Sequence, residues 1–170
     1  MKKIITLLAV VGLLSLQACT TSGSLEIIPN LPTNTVSEVF EITTSFNYSN
    51  NYSRLITLNP RIYSSDTVLA YRLTGITPQG ADIWKLLPET HYFNDGTLDF
   101  GYHFNYTNYD VEIYMIGNNL QTVSDQYRYN QVIRIVIVPA SFATTIDKNN
   151  LESVMSTLKM NDTQIQKINL

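Results

Sequence analysis

The sequence predicts a mainly β protein: an antiparallel β-sandwich of about seven strands, immunoglobulin-like or jelly-roll-like, with one C-terminal α-helix. Short apolar or alternating runs recur between turn signals, a spacing typical of sandwiches. Eleven tyrosines and many threonines in 170 residues also favour strands. Helical periodicity is clear only near the C-terminus. We expect a single domain over residues 35–170, which is long enough to bury a core of its own.

Polar turn segments separate the first three predicted strands. EVFEITTSF (38–46) is followed by the loop NYSNNY and then by SRLITLN (53–59), which stops at Pro60. DTVLAYRLTGI (66–76) ends at the turn signal TPQG. Each run is rich in the β-branched and aromatic residues that strands prefer.

A β-hairpin is the clearest local prediction. DIWKLLPET (82–90) leads up to it as one strand, in which Pro88 indicates an edge or a bulge. Asn94, Asp95 and Gly96 tolerate the positive φ angles of hairpin turns. Over residues 98–106 every even position is apolar or aromatic, which predicts a half-buried strand with its aromatic side chains facing the core.

The last predicted elements are two strands and a helix. DVEIYMIG (110–117) is a strand, and NQVIRIVIVPA (130–140) is so continuously apolar that we expect a central strand covered on both faces. Apolar residues at i, i+3, i+4 and i+7 predict a helix over 149–160. Asn149 and Glu152 are spaced as a capping box at its start. Residues 161–170 are expected to turn and fray.

The N-terminus has the pattern of a bacterial secretory signal. Two lysines precede an apolar run from Ile4 to Leu16, which is shorter than the ~20 residues of a spanning helix. The run ends in Leu16-Gln17-Ala18-Cys19, which resembles the lipobox of bacterial lipoproteins. The resemblance implies a signal peptide over 1–18, cleavage before Cys19, and two or three acyl chains on Cys19 as the attachment to the bilayer.

The residues after the cleavage site predict where the domain is held. Residues 19–34 contain small polar residues and two prolines and are expected to form a lipidated tether. Thr20 follows Cys19 where an Asp would favour the inner membrane of some Gram-negative bacteria, so the resemblance implies an outer-membrane location. With Cys19 acylated, no free thiol remains for a disulfide or for redox chemistry.

The charge balance argues against a nucleic-acid partner. The chain has 11 Lys and Arg against 14 Asp and Glu, a net charge of −3. Loss of residues 1–18 would remove two lysines and leave a net charge of −5. Nucleic-acid binding requires a basic surface instead.

A wider resemblance covers most of residues 35–170. The segments YSSDTVLAYRL, IWKLLPETHYFNDGTLDF and QVIRIVIVPASF are similar to those of small Bacteroidota lipoproteins. This resemblance implies a place in the cell envelope but assigns no activity, cofactor or site residue.

No motif predicts catalysis, a metal or a cofactor. A dihydrolipoamide dehydrogenase, for example, requires a Gly-rich dinucleotide turn and a redox-active cysteine pair, and the chain has one cysteine. His91 and His103 could approach each other across the hairpin, but a zinc site needs three or four ligands. We interpret them as solvated strand residues and expect no catalytic or metal site.

Two functions therefore stay open. The first is a non-catalytic envelope lipoprotein with a structural or interaction role. The alternative is a module that binds a glycan or a peptide through surface tyrosines in polar loops. The candidate residues for that surface are Tyr48, Tyr52, Tyr127 and Tyr129.

Overall fold

A computed structural model describes residues 37–169 of the chain, which fold into two facing β-sheets and two short α-helices. The strands are β1 (Glu38–Thr44), β2 (Ser53–Thr57), β3 (Thr67–Ile76), β4 (Asp82–Leu86), β5 (Glu89–Tyr92), β6 (Leu98–Tyr106), β7 (Asp110–Gly117), β8 (Gln131–Val138) and β9 (Gln166–Asn169). The α-helices are the single turn α1 (Asp125–Arg128) and α2 (Leu151–Thr157). Single 3-10 turns cover Tyr48–Asn50, Leu120–Thr122 and Asp162–Gln164.

The strands form a five-stranded sheet in the order β4-β3-β8-β1-β9 and a four-stranded sheet in the order β2-β7-β6-β5. All neighbouring strands are antiparallel except β1 and β9, which are parallel. The predicted fold class, a mainly β sandwich with a C-terminal helix, is confirmed. The described residues contain nine strands rather than about seven. Residues 82–90, expected as one strand, belong to two strands, β4 and β5, and Gln166–Asn169 add β9.

Two apolar clusters explain why β8 is almost continuously apolar. Between the sheets, Ile133, Ile135 and Ile137 of β8 pack with side chains of the facing sheet such as Tyr102 and Ile113. On the outer face of the five-stranded sheet, Val136 and Val138 pack beneath α2 instead. The predicted central strand covered on both faces is confirmed.

Helix α2 buries the apolar face that the sequence indicated. Its buried residues include Leu151, Val154 and Met155, and Leu158 follows at the C-cap. The predicted cap is wrong by one residue: the side chain of Asn150, not Asn149, accepts the hydrogen bond from Ser153 N–H (3.1 Å). The helix also ends earlier than residue 160.

The prediction of one continuous strand over 82–90 is wrong, but the edge position that Pro88 indicated is confirmed for the strands on both sides of it. The chain crosses at Leu87 and Pro88 from β4, an edge of the five-stranded sheet, to β5, an edge of the four-stranded sheet. Pro88 lacks the N–H that a continuous strand would need for its hydrogen bonds, so β4 ends before it and β5 begins after it. This crossing brings Glu89 into the space between the sheets.

The predicted hairpin between β5 and β6 is confirmed. Phe93 N–H donates to the carbonyl of Thr97 (2.9 Å), and Gly96 has a φ of 84°. Phe100 and Tyr102 are buried as the alternation predicted, whereas Tyr106, at the far end of β6, is exposed.

The turn expected after residue 160 is confirmed, since Asp162–Gln164 form a 3-10 turn, but the fraying expected after that turn is wrong. Gln166–Asn169 form β9, which pairs with Phe40–Thr43 of β1. Ile168 is its single isoleucine and packs against the core between the sheets. One apolar residue in a polar segment gives little periodicity, so the sequence did not indicate this strand.

Candidate functional site

Four connecting segments gather at one end of the sandwich. Thr44 pairs with Gln131 and Phe100 with Gly117, so the end of β1 lies beside the start of β8, and the start of β6 beside the end of β7. Phe46 N–H donates to the carbonyl of Arg128 (2.7 Å) and joins two of the segments. We call this region the loop end; its segments are 45–52, 77–81, 93–97 and 118–130.

A polar cleft of about 480 Å³ lies at the loop end, at the edge between β1 and β2. We call it the Arg54 cleft. Its size is within the range of small-ligand sites. Of the residues from 37 to 169 that line it, each has a side chain that can form hydrogen bonds, and none is a carboxylate. The lining residues are Thr43, Thr44, Ser45, Asn47, Ser49, Asn50, Arg54 and Asn130.

The loop over this cleft is held by its own asparagines. Asn47 Oδ1 accepts from the N–H groups of Ser49 (3.0 Å) and Asn50 (3.3 Å), and Asn50 Oδ1 accepts from Asn47 N–H (3.0 Å). Asn50 Nδ2 also donates to the carbonyl of Ser45 (2.7 Å). Asn51 then adopts a left-handed φ of 51°, which asparagine tolerates better than most residues. The loop is therefore pre-shaped by the sequence NYSNNY.

Arg54 provides the positive charge of the cleft. It lies two residues before the buried Ile56 on β2, so both side chains point toward the space between the sheets. Its Nε donates to Thr44 Oγ1 (3.3 Å), which links the two sheets at this edge. Within residues 37–169, no carboxylate lies within salt-bridge distance of Arg54.

The four candidate tyrosines do not form one exposed surface. Tyr48 is 75% exposed and Tyr129 is 40% exposed, both at the loop end. Tyr52, by contrast, is 8% exposed and belongs to the core between the sheets, so its assignment to the surface is wrong. Its backbone bonds to Asn47 and Met115 turn it inward at the start of β2.

Tyr127 also packs against the fold instead of lying exposed on the surface. Its ring is half-buried, with its centroid 5.1 Å from that of Phe100 and 5.3 Å from that of His91. Its carbonyl accepts a hydrogen bond from Tyr102 Oη. The predicted surface is thus reduced to the exposed Tyr48 and Tyr129, whose chain neighbours Asn47, Ser49 and Asn130 line the Arg54 cleft.

The two histidines lie on opposite faces of the four-stranded sheet. His91 pairs with Phe100 and stacks on its ring at 4.3 Å, facing the core, whereas His103 occupies an odd position of β6 on the outer face, near Tyr114. The approach that the hairpin would have allowed therefore does not occur. The interpretation as solvated strand residues is wrong for His91, because its ring packs against Phe100 and Tyr127. Among residues 37–169, no group of three or more His, Cys, Asp or Glu side chains is placed to hold a metal ion. Cys19 lies outside the described residues.

A buried ion-pair network, which the sequence did not predict, joins the sheets behind the loop end. Arg72 of β3 donates from Nε to Glu89 Oε2 (2.8 Å) and from Nη2 to Glu89 Oε1 (2.9 Å). Arg72 Nη1 donates to Gln131 Oε1 (3.0 Å), and His91 Nε2 lies 2.8 Å from Glu89 Oε1. The guanidinium also lies over the Tyr102 ring, 4.6 Å from its centroid.

The charge state of Glu89 follows from these contacts. Burial raises the pKa of Glu89, but the hydrogen bonds and charge of Arg72, with the charges of Lys85 and His91, outweigh burial and hold the pKa below its ordinary value. Both carboxylate oxygens are occupied by donors, so Glu89 is suited to holding the sheets together rather than to proton transfer.

Comparisons with known proteins identify no family and no relative for this chain. Searches against protein-family models, curated proteins and solved structures give no match. In the part of the chain that the structure describes, no helix is both long and apolar enough to cross a bilayer.

Proposed function

We propose that the protein is a non-catalytic envelope lipoprotein, anchored through acylated Cys19, whose sandwich domain interacts with a partner outside the cytoplasm. The observation that carries the proposal is Leu16-Gln17-Ala18-Cys19 at the end of a short apolar run that follows two lysines. Two or more acyl chains make such an anchor durable. The tether would let the domain stand away from the outer membrane.

An interaction role suits the chemistry of the described residues. The most buried carboxylate, Glu89, is occupied by Arg72 and His91. The loop end, by contrast, presents a cleft whose hydroxyl, amide and guanidinium groups can form hydrogen bonds with a ligand. Hydroxyl, amide and guanidinium groups are typical of sites that bind a polar ligand.

Replacing the cysteine tests the anchor. Cys19→Ala should abolish labelling by an alkyne-tagged fatty acid and leave uncleaved precursor, because acylation requires the cysteine sulfur. Thr20→Ala, which keeps Leu16 to Cys19, is the matched control and should be labelled like the wild type. Mass spectrometry of the mature N-terminus is the second measurement. A wild-type protein that keeps Met1 and carries no lipid would contradict the proposal.

The second candidate function, glycan binding, is favoured by the position of Tyr48 beside the Arg54 cleft. Amide and hydroxyl groups can form hydrogen bonds with sugar hydroxyls, and an exposed aromatic ring can pack on a sugar face. Tyr48 is 75% exposed and belongs to the same asparagine-held loop that lines the cleft. We propose that the loop end, rather than the four tyrosines first considered, forms the binding surface.

Tyrosine replacements on a glycan array test this second function. Tyr48→Ala should weaken glycan binding by about tenfold, equivalent to ~1.4 kcal/mol. Tyr109→Ala is the matched control, since Tyr109 is 54% exposed in the β6–β7 turn at the opposite end. Equal losses in both variants, or no wild-type binding to any glycan, would contradict glycan binding at the loop end.

A further inference from the structure

We infer that the Arg54 cleft recognises an acidic sugar through its carboxylate, an inference that rests on the proposed glycan binding and names the class of glycan. Among the described residues that line this cleft, the guanidinium of Arg54 is the one cationic group. An acidic sugar supplies both a carboxylate for this group and hydroxyls for the neutral side chains around it.

The donors of Arg54 are largely available to a ligand. A guanidinium has five N–H donors in a planar fork that matches a carboxylate in a two-point contact. The structure gives Arg54 one hydrogen bond, from Nε to Thr44 Oγ1 (3.3 Å), which fixes the side chain in the cleft. Within residues 37–169, neither Nη1 nor Nη2 of Arg54 has a carboxylate partner.

Three of the five described arginines pair with a carboxylate, and Arg54 and Arg61 do not. Arg72, Arg128 and Arg134 each pair with a carboxylate, at 2.8, 2.6 and 2.8 Å respectively. Arg61 donates to Tyr109 Oη and lies over the tyrosine ring. In a chain with a net charge of −3, a cleft whose described lining contains an arginine and no carboxylate is suited to binding an anion from outside the protein.

The neutral lining favours a sugar over a small inorganic anion. Asn130 lines the cleft with an exposed side chain, and no hydrogen bond from that side chain is present within residues 37–169. Asn130 is held in a left-handed conformation with a φ of 53°, and its N–H donates to Ser45 Oγ (3.1 Å). These groups can bind hydroxyls, while a volume of about 480 Å³ is much larger than a phosphate ion requires.

Paired glycans test the inference. The full-length protein, solubilised from membranes in detergent, is applied to an array that carries sialylated and uronic-acid glycans with their neutral counterparts. We expect acidic glycans to bind at least ~10-fold more tightly, and Arg54→Gln to remove this preference while neutral binding persists. Arg54→Lys should restore only part of it, since an ammonium group cannot make the two-point contact. Arg61→Gln, at the opposite end, is the matched control and should keep the preference.

A second variant examines the neutral side of the cleft. Asn130→Gly removes the amide but tolerates the left-handed backbone, so it should weaken acidic and neutral glycans alike. Wild-type binding without an acidic preference would overturn the carboxylate inference and leave glycan binding in place, whereas no binding to any glycan would overturn both. Equal competition by inorganic phosphate, or Arg54-dependent binding of an acidic peptide instead, would overturn the assignment to a sugar.

Discussion

Replacing Glu89 by Ala is expected to lower the free energy of unfolding by about 3–5 kcal/mol, because it leaves the charge of Arg72 buried without its partner. The two side chains are 6% and 3% exposed, and their two-point contact joins β3 of one sheet to β5 of the other. Urea unfolding followed by the fluorescence of Trp84, the single tryptophan, measures the loss.

An exposed ion pair provides the matched control. Asp125 bonds to Arg128 at 2.6 Å, but the aspartate side chain is 76% exposed, so Asp125→Ala should cost no more than ~1 kcal/mol. If Glu89→Ala unfolds the protein outright, the double variant Arg72→Met with Glu89→Met keeps the test open. It replaces both charges with apolar groups and should restore most of the stability. A cost for Glu89→Ala no larger than that for Asp125→Ala would contradict a buried pair.

The same pair predicts a pH dependence with a definite sign. Because Arg72 holds the pKa of Glu89 below its ordinary value, the native state favours the ionised carboxylate. This stabilisation is fully present above the pKa of an unfolded glutamate, about 4.3, and is lost as pH falls toward the lower native pKa. Glu89→Gln should therefore flatten the decline of unfolding free energy below about pH 4, measured by urea unfolding across pH.

The sequence predicted the strands best where period-two alternation was long. In β6, alternation over 98–106 placed Phe100 and Tyr102 in the core because one face of that strand is buried and the other is not. Where a segment crosses between sheets the pattern carries less information. Both halves of 82–90 read as strand, and Pro88 indicated an interruption without indicating that the two halves join different sheets.

The candidate site was harder to predict because its parts come from separate segments. Local composition placed Tyr52 in a polar loop, but the left-handed φ angles of Asn51 and Tyr52 (51° and 53°) turn the chain so that Tyr52 enters the core. Arg54 occupied an ordinary strand position in the sequence. Only the pairing of β1 with β8 brings Asn130 into the same cleft.

The sequence did not predict the Arg72–Glu89 pair either, because its two residues also come from separate segments of the chain. The partners are 17 residues apart on strands of different sheets, and an alternating pattern cannot tell an inward charged residue from an outward one. Burying such a charge is costly unless its partner is in place. The pair therefore depends on how the two sheets face each other, which is a property of the tertiary structure and not of either strand's sequence.

Phe46→Ala is expected to cost about 3–5 kcal/mol of unfolding free energy, the usual loss when a fully buried phenylalanine is truncated. Phe46 has 0% exposure and packs edge-on against Tyr102, with ring centroids 5.9 Å apart. It also belongs to the segment 45–52 that lines the Arg54 cleft, and its N–H donates to the carbonyl of Arg128 at 2.7 Å. A cavity at this position should therefore loosen the cleft as well as the core.

Two measurements separate these effects. Urea unfolding gives the global loss, and hydrogen exchange of residues 46–52 should rise more in Phe46→Ala than exchange within β8, because the loop loses its anchor first. Phe93→Ala is the matched control: Phe93 is 54% exposed in the β5–β6 turn, so its loss should be within ~0.5 kcal/mol. If exchange of 46–52 stayed at the wild-type rate while global stability fell, Phe46 would support the core alone. The shape of the Arg54 cleft would then depend on the asparagine hydrogen bonds of the loop, with Asn47 and Asn50 at their centre.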